Sequence, residues 1–293
     1  MYPAPFEYVK VPSWTDAVGL LAQHGDDARV LAGGQSLVPM MSLRLASPGH
    51  LIDVNDIESG PIHEQDGSVE IPALTRHAEL ERSPVLARAC PMIAEAARLI
   101  GNIRVRHRGT IGGSLAHADP SAELPCALLA LEGTVLALGP GGERRIAGDS
   151  FFQSYFTTAL DPSEVVVGVE VPVLPTGTGA AFEEFVQRAG DFATAEVAAV
   201  IELDDLEVCR RVRVAVGGVS DRPVDLSDAT GSLLGRAPNP ELIADASRAV
   251  SESSGSRGDH RATPEYRREL VRVLTKRALH RAWRRATGDG AES

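Results

Sequence analysis

The chain is poor in cysteine and in aromatic residues: 3 of its 293 residues are Cys, and Phe, Trp and Tyr together make up 4%. Cys90, Cys126 and Cys209 lie far apart with no Cys-x-x-Cys pair, which excludes a disulfide framework and leaves no iron–sulfur or zinc ligand set. They read as small buried hydrophobes in a reducing compartment. No run of roughly 18 apolar residues occurs, so a transmembrane helix is excluded. The start, Met1-Tyr2-Pro3-Ala4-Pro5-Phe6-Glu7-Tyr8, lacks a basic segment followed by an apolar one, and a soluble cytoplasmic protein is expected. Positive charge is the minority sign, with 29 Lys and Arg against 40 Asp and Glu and a net charge of −11. Nucleic acid is therefore not an expected partner.

Several signatures are missing as well. Neither Gly-x-Gly-x-x-Gly before a helix nor Gly-x-x-x-x-Gly-Lys-Ser/Thr occurs, so the two commonest nucleotide signatures fail. Gly-x-Ser-x-Gly is absent, and the Ser, His and Asp residues form no recognisable nucleophilic set. His117 and Asp119 lack further ligands nearby, so no metal site is expected there, and Asp119 before Pro120 reads as shaping a turn. The chain holds something reactive rather than supplying acid–base groups itself.

What is present is a pair of glycine segments, Ala32-Gly33-Gly34-Gln35-Ser36 and Thr110-Ile111-Gly112-Gly113-Ser114. Each joins two glycines to a hydroxyl residue after β-like residues, which brings backbone N–H groups toward an anion without a Cβ in the way. One such segment reads as an ordinary tight turn. Two suggest an extended nucleotide held through its diphosphate from both sides.

Around them the pattern predicts an α+β chain in three lobes, 1–58, 59–176 and 177–293, the last boundary falling in the breaker-rich stretch 174–179. The first holds a helix capped by Ser13 and strands at 29–32 and 51–54. The second holds a short strand at 69–71, an amphipathic helix over 84–100, a helix over 123–131, and strands at 134–138 and 164–171. The third holds strands at 182–187, 195–203 and 208–216, implying an antiparallel sheet backed by helices. Its last helix is capped by Thr263, opens with Pro264 and carries a basic face including Arg267, Arg281 and Arg285, read either as a solvated face or as a docking surface. Arg104, Arg106 and Arg108 alternate as on one face of a strand, which reads as meeting a phosphate or a partner's carboxylates or as a solvated or salt-bridged face, and Asp149 with Ser150 reads as a helix cap.

The segment Ala32 to Pro39 with Leu43-Arg44 and Leu51-Ile52-Asp53, and the segment Arg108 to Pro120, resemble the two flavin signatures of the FAD-binding medium subunits of molybdenum hydroxylases, the xanthine dehydrogenase and aerobic carbon monoxide dehydrogenase family. Gly190-Asp191-Phe192-Ala193 and Tyr266-Arg267-Arg268 resemble the C-terminal domain of the same subunits. The likeness spans nearly the whole chain. It implies a vanillyl-alcohol-oxidase-like FAD fold, with two N-terminal α+β subdomains enclosing the cofactor and a third domain, an antiparallel sheet plus helices, covering the flavin.

By that resemblance Ala32, Gly33, Gly34, Gln35 and Ser36, with Thr110, Ile111, Gly112, Gly113 and Ser114, grip the FAD diphosphate. Glu123 stands where the family commonly has an Asp contacting the ribityl or nearby groups, Ile100 and Val166 stand where apolar residues flank the cofactor, and Asp191 and Phe192 match their motif. Glu184 replaces a Lys usual in relatives, a change that disfavours flavin reduction. The implied work is electron transfer: FAD takes electrons from an iron–sulfur small subunit, fed by a molybdopterin large subunit that hydroxylates an aldehyde, purine or other N-heterocycle, and passes them to NAD, quinone or dioxygen. Oxidation of carbon monoxide is the alternative, against which stands Gln35 where those enzymes tend to have His. A non-catalytic assembly protein on the same fold is the other alternative. The cysteine-bearing insertion of hydroxybenzoyl-CoA reductases is missing.

Overall fold

A computed structural model describes residues 2–288. Three sheets, each with its own helices, follow one another along the chain.

In the first, strands Glu7–Lys10, His50–Asp53 and Ala28–Leu31 lie side by side in that order, both pairs parallel. Parallel neighbours require a crossover, and the helix Trp14–His24 supplies one, with the Ser13 hydroxyl accepting the Asp16 N–H at 3.1 Å. Its Ala17, Val18 and Leu21 share a small core with Ile52 and Val54. All four residues of Glu7–Lys10 are exposed, so no apolar pattern announced that strand.

The second sheet is antiparallel, in the order His63–Gln65, Ser68–Pro72, Val165–Pro172, Thr134–Gly139, Gly142–Ala147. Its two edge strands are largely polar and were not foreseen. The helix expected over 84–100 is cut into Pro84–Ala89 and Pro91–Leu99, with Cys90 at φ −155° and ψ 70° between them. Pro91 has no N–H to give and bars helical geometry from the residue before it. The periodicity survived the break because both pieces bury their apolar residues, Leu86 and Ala89 on one and Ile93, Ala96 and Ala97 on the other, in the same core.

Two local expectations are corrected here. Arg104 and Arg106 lie on the short helix Ile103–Arg106, whose cap Asn102 accepts the N–H groups of Arg104 at 2.9 Å and Val105 at 3.3 Å, so no strand face of three arginines exists. Arg106 turns back to Glu81 at 3.0 Å and to the Ile100 carbonyl at 3.1 Å. Asp149 and Ser150 lie inside the helix Gly148–Phe151, with Ala147 at the cap position.

The third sheet runs Thr178–Phe185, Ala195–Leu203, Cys209–Gly217, Val224–Asp225, all antiparallel. Its first strand begins within the breaker-rich stretch. Ala180, Phe182, Ala198, Val200 and Ala215 join the core of the second sheet, while Val197, Ala199, Ile201, Val214 and Val216 pack with the helices Pro240–Ser253 and Pro264–Ala286. A strand covered on both faces reads as an unbroken apolar run, as residues 197–201 of the central strand Ala195–Leu203 do. The helix Glu123–Ala130 is buried at every residue and belongs to the core shared by the second and third sheets. The basic face of the last helix is only partly solvated: Arg267 is 3% exposed, and Arg281 and Arg285 donate to the carbonyls of Phe182 and Ala180 while meeting Glu95.

Gly179 sits where that helix crosses the first strand, and a Cβ there would overlap the Ala282 carbonyl oxygen and lie 2.6 Å from the Ala286 nitrogen. Gly179→Ala is expected to lower the unfolding free energy by about 1–3 kcal/mol. Gly19→Ala, inside the helix Trp14–His24 with nothing within 4 Å of the added methyl, is expected to raise it by about 0.5–1 kcal/mol. Paired urea melts read both.

Candidate cofactor site

The three lobes meet around a cavity of about 840 Å³, within the size range of sites that enclose a large organic cofactor. The first glycine segment forms one wall. After the strand Ala28–Leu31 the chain passes through Ala32–Ser36 into the helix Leu37–Ser42, with Gly34 at φ +70°. Gly33 is held for a different reason: a Cβ there would overlap the Arg108 carbonyl oxygen and stand 2.7 Å from the Gly109 Cα. Gly33 is therefore in backbone contact with the Arg108–Gly109 peptide that leads into the second glycine segment. Behind the contact, the Asn55 amide donates to the Ala32 carbonyl at 2.9 Å and accepts from Arg76 at 2.7 Å, and Arg76 donates to the Arg108 carbonyl at 2.5 Å.

The amides of the two segments differ. Among the described residues, no protein acceptor takes the N–H groups of Ala32, Gly33, Gly34, Gln35 or Ser36. Such a run of unpaired donors along a cavity wall fits an anionic group. The second segment departs from expectation, because it is the start of a helix rather than a turn. Thr110 caps the helix Ile111–His117, its hydroxyl accepting the Gly113 N–H at 3.1 Å. The N–H groups of Ile111, Gly112 and Ser114 go to Thr75 at 3.1 Å, Ala73 at 2.9 Å and Thr110 at 3.0 Å. One set of bare amides is present, not two.

Thr110, Gly112, Gly113 and Ser114 border the cavity, as do all five residues of the first segment. Gly112 has no space for a side chain, since its Cβ would lie 2.6 Å from that of Ala73. Ile111 is the exception among the expected residues: its side chain is 1% exposed and belongs to the core. Ile100, Val166, Glu123, Asp191 and Phe192 all line the cavity. His117 and Asp119 line it too, with Asp119 accepting the Ser121 N–H at 2.9 Å in the turn into Glu123–Ala130. Among the described residues no group of His, Cys, Asp or Glu is arranged to hold a metal ion.

His77 was missed. It opens the helix His77–Arg82, and its ring lies against Gly109, where a Cβ would be 2.8 Å from Cε1. Burial, aided by the charges of Arg106 and Arg76, pushes its pKa down to about 4, so it borders the cavity as a neutral imidazole. Arg29 and Phe156 were missed likewise. None lies in a glycine-rich segment, and no sequence pattern joins them.

Residues 4–174 match the family described as FAD binding domain in molybdopterin dehydrogenase, and residues 180–282 match the CO dehydrogenase flavoprotein C-terminal domain. The chain belongs to the FAD-binding medium subunits of the molybdenum hydroxylases. It is 39% identical over 287 residues to the 6-hydroxypseudooxynicotine dehydrogenase complex subunit alpha of Paenarthrobacter nicotinovorans, covering 98% of this chain and 97% of that one. It is 37% identical over 280 residues to the glyceraldehyde dehydrogenase medium chain of Sulfolobus acidocaldarius, covering 95% and 99%. A solved chain of carbon monoxide dehydrogenase from Hydrogenophaga pseudoflava superposes with a TM-score of 0.94 at 39% identity, covering 97% of this chain and 99% of that one. As a medium subunit the chain is an FAD-dependent oxidoreductase component of a multi-subunit complex, and the unpaired amides and the cavity suit that cofactor.

Glu123 is the one lining residue of a buried acidic group whose other members, Glu184 and Glu196, lie behind the cavity wall. Glu123 of this medium subunit is 5% exposed, and burial, with Glu184 and Asp119 adding repulsion, pushes its carboxyl up to about 8. Glu184 and Glu196 are register partners on adjacent strands, on the sheet face that meets the helix Glu123–Ala130. Burial raises Glu184 to about 7. Glu196 is fully buried with neither oxygen hydrogen-bonded, and burial followed by the charges of Glu123 and Glu184 raises it well above the usual range. Neutral carboxyls are the stable form here.

These folded values exceed the unfolded one, so the native state binds more protons above about pH 4.5, and stability is lost as the pH rises toward about 8. The unfolding temperature is expected to fall across that window. Glu123→Gln should flatten the fall and recover on the order of 3–5 kcal/mol at the alkaline end, which thermal melts at a series of pH values measure. Gly33→Ala should separate the two glycine segments and abolish FAD retention at a stability cost of about 1–3 kcal/mol, read by flavin absorbance after gel filtration.

Proposed function

We propose that this medium subunit passes electrons from an iron–sulfur small subunit to an external acceptor, NAD, quinone or dioxygen, while a molybdopterin large subunit hydroxylates an aldehyde or N-heterocycle. The observation that carries the reading is the run of unpaired N–H groups from Ala32 to Ser36 along the cavity. FAD, when bound, supplies the exchange between two-electron and one-electron chemistry. In this reading the chain's own residues bind and orient it. The five amides of Ala32–Ser36 take the diphosphate, and Thr110 and Ser114 add hydroxyls beside Gly112 and Gly113. Ile100 and Val166 cover apolar cofactor surface, Glu123 meets its polar middle, and Asp191 and Phe192 close the third side. Ile111 serves the core.

The same reading divides the chain at 1–58, 59–176 and 177–293, of which residues 1 and 289–293 lie outside the described residues. It places the protein in the reducing cytoplasm, in keeping with three free, buried cysteines. None of the helices is long and apolar enough to cross a membrane among the described residues. Identity of 39% to the carbon monoxide dehydrogenase medium chain of Hydrogenophaga pseudoflava keeps carbon monoxide oxidation as the second reading.

The full chain should purify yellow, with flavin near equimolar to protein. The complex isolated through it should contain iron and molybdenum and reduce a dye with aldehydes or N-heterocycles. A colourless chain that takes up no added FAD overturns the electron-transfer reading. Dye reduction by carbon monoxide alone replaces the substrate class with the second one.

A further inference from the structure

The third-lobe wall of the cavity is the segment Gly190-Asp191-Phe192, which lines the site without belonging to a strand or helix. Phe192 is 52% exposed, so burial of its own side chain does not hold the segment down. Its near end rests on the second lobe: Gly190, at φ +89°, sits where a Cβ would be 3.2 Å from the Gly101 carbonyl oxygen. Its far end hangs on cations from the C-terminal region. Arg261 donates to the Phe192 carbonyl at 3.2 Å. Arg267 donates to the Thr194 carbonyl at 2.6 Å and to the Gly218 carbonyl.

Both arginines are gathered by one carboxylate. Asp259 pairs with Arg267 at 2.7 Å and with Arg261 at 3.5 Å, and its other oxygen accepts the N–H groups of Arg261 at 2.8 Å and Ala262 at 3.0 Å. Arg267 is 3% exposed, and a buried guanidinium persists only where its charge and donors are met. Gly218 extends the device to the second lobe. Its N–H donates at 2.7 Å to the Pro120 carbonyl, in the turn that carries Asp119 and leads to Glu123. A single guanidinium thus grips the backbone two residues beyond Phe192 and the residue that donates to this turn.

We propose that Asp259, Arg261 and Arg267 form a latch that positions the Gly190–Phe192 flap over the bound FAD, setting how firmly the cofactor is kept and how far it is open to small electron acceptors. These are positioning residues, and none of the three is among the cavity-lining side chains. The latch does not titrate open near neutral pH, because Arg267 and two backbone N–H groups outweigh burial and hold the Asp259 carboxyl far below the ordinary range. Arg261 is the member to test, since it is partly exposed and its loss leaves the buried Arg267–Asp259 pair in place.

The test uses the full chain reconstituted with FAD, comparing wild type, Arg261→Ala and Arg261→Lys. Three quantities are read: the FAD dissociation rate, quenching of bound-flavin fluorescence by iodide, and the unfolding temperature of the flavin-free chain. Loss of a charge-assisted hydrogen bond to the flap should speed dissociation by about tenfold in Arg261→Ala. Iodide quenching should rise with it, the flavin-free unfolding temperature should stay within a few degrees of wild type, and Arg261→Lys should restore most of both flavin readouts. Unchanged dissociation and quenching in Arg261→Ala overturn the latch. So does a faster dissociation that tracks a lowered unfolding temperature and is not restored by lysine. A chain that takes up no FAD in any form contradicts the cofactor assignment itself and is distinct from either outcome.

Discussion

Backbone contact between Gly33 and the Arg108–Gly109 peptide is the constraint on which the cofactor site depends. It joins the first lobe to the second at a distance no other residue permits, and the Asn55–Arg76 pair fastens it from behind. With that contact made, the strand Ala28–Leu31 delivers Ala32–Ser36 to the cavity with its N–H groups unpaired, while the helix Ile111–His117 follows Gly109 with the N–H groups of Ile111 to Ser114 already satisfied. The segments look alike in sequence and do different work. One offers donors; the other offers a wall of glycine backbone and two hydroxyls.

The third lobe reaches the site because its sheet is buried on both faces. One face continues the core of the second lobe through the helix Glu123–Ala130, and the other packs on the two C-terminal helices. The same face that buries Ala180, Phe182 and Ala198 turns Glu184 and Glu196 inward, where ionisation is disfavoured. The cavity therefore borders both a run of unpaired hydrogen-bond donors, Ala32 to Ser36, and the buried carboxyl of Glu123, behind which Glu184 and Glu196 lie. Arg267, read on a helix face that is either solvated or a docking surface, is buried because the carbonyls of Thr194 and Gly218 and the Asp259 carboxylate converge there.

Much of the fold was legible where local chemistry and burial agree. The Ser13 and Thr263 caps, the apolar strands of the third sheet and Pro264 at the head of the last helix stand as read. Legibility failed where exposure or proline broke that agreement. Glu7–Lys10 and Gly142–Ala147 are edge strands with little apolar signal, and Pro91 divides a helix whose periodicity runs straight through it. Asn102 carried a cap signal that the alternating arginines concealed.

By itself the sequence determined which family the chain belongs to, because the two glycine segments and their flanks are short contiguous runs whose backbone demands are local. It also determined that the chain carries no iron–sulfur ligand set, since ligands must be thiolates at close spacing. Tertiary structure alone decided which amides are free, since that depends on whether Thr75 and Ala73 lie within reach of the second segment. It also decided that three glutamates from a helix and two strands come together, Glu123 and Glu196 buried and Glu184 partly so, and that Arg267 is a buried tie rather than a surface charge. Hydrogen-bond satisfaction and desolvation are properties of neighbours brought together from distant parts of the chain, and no local pattern records them.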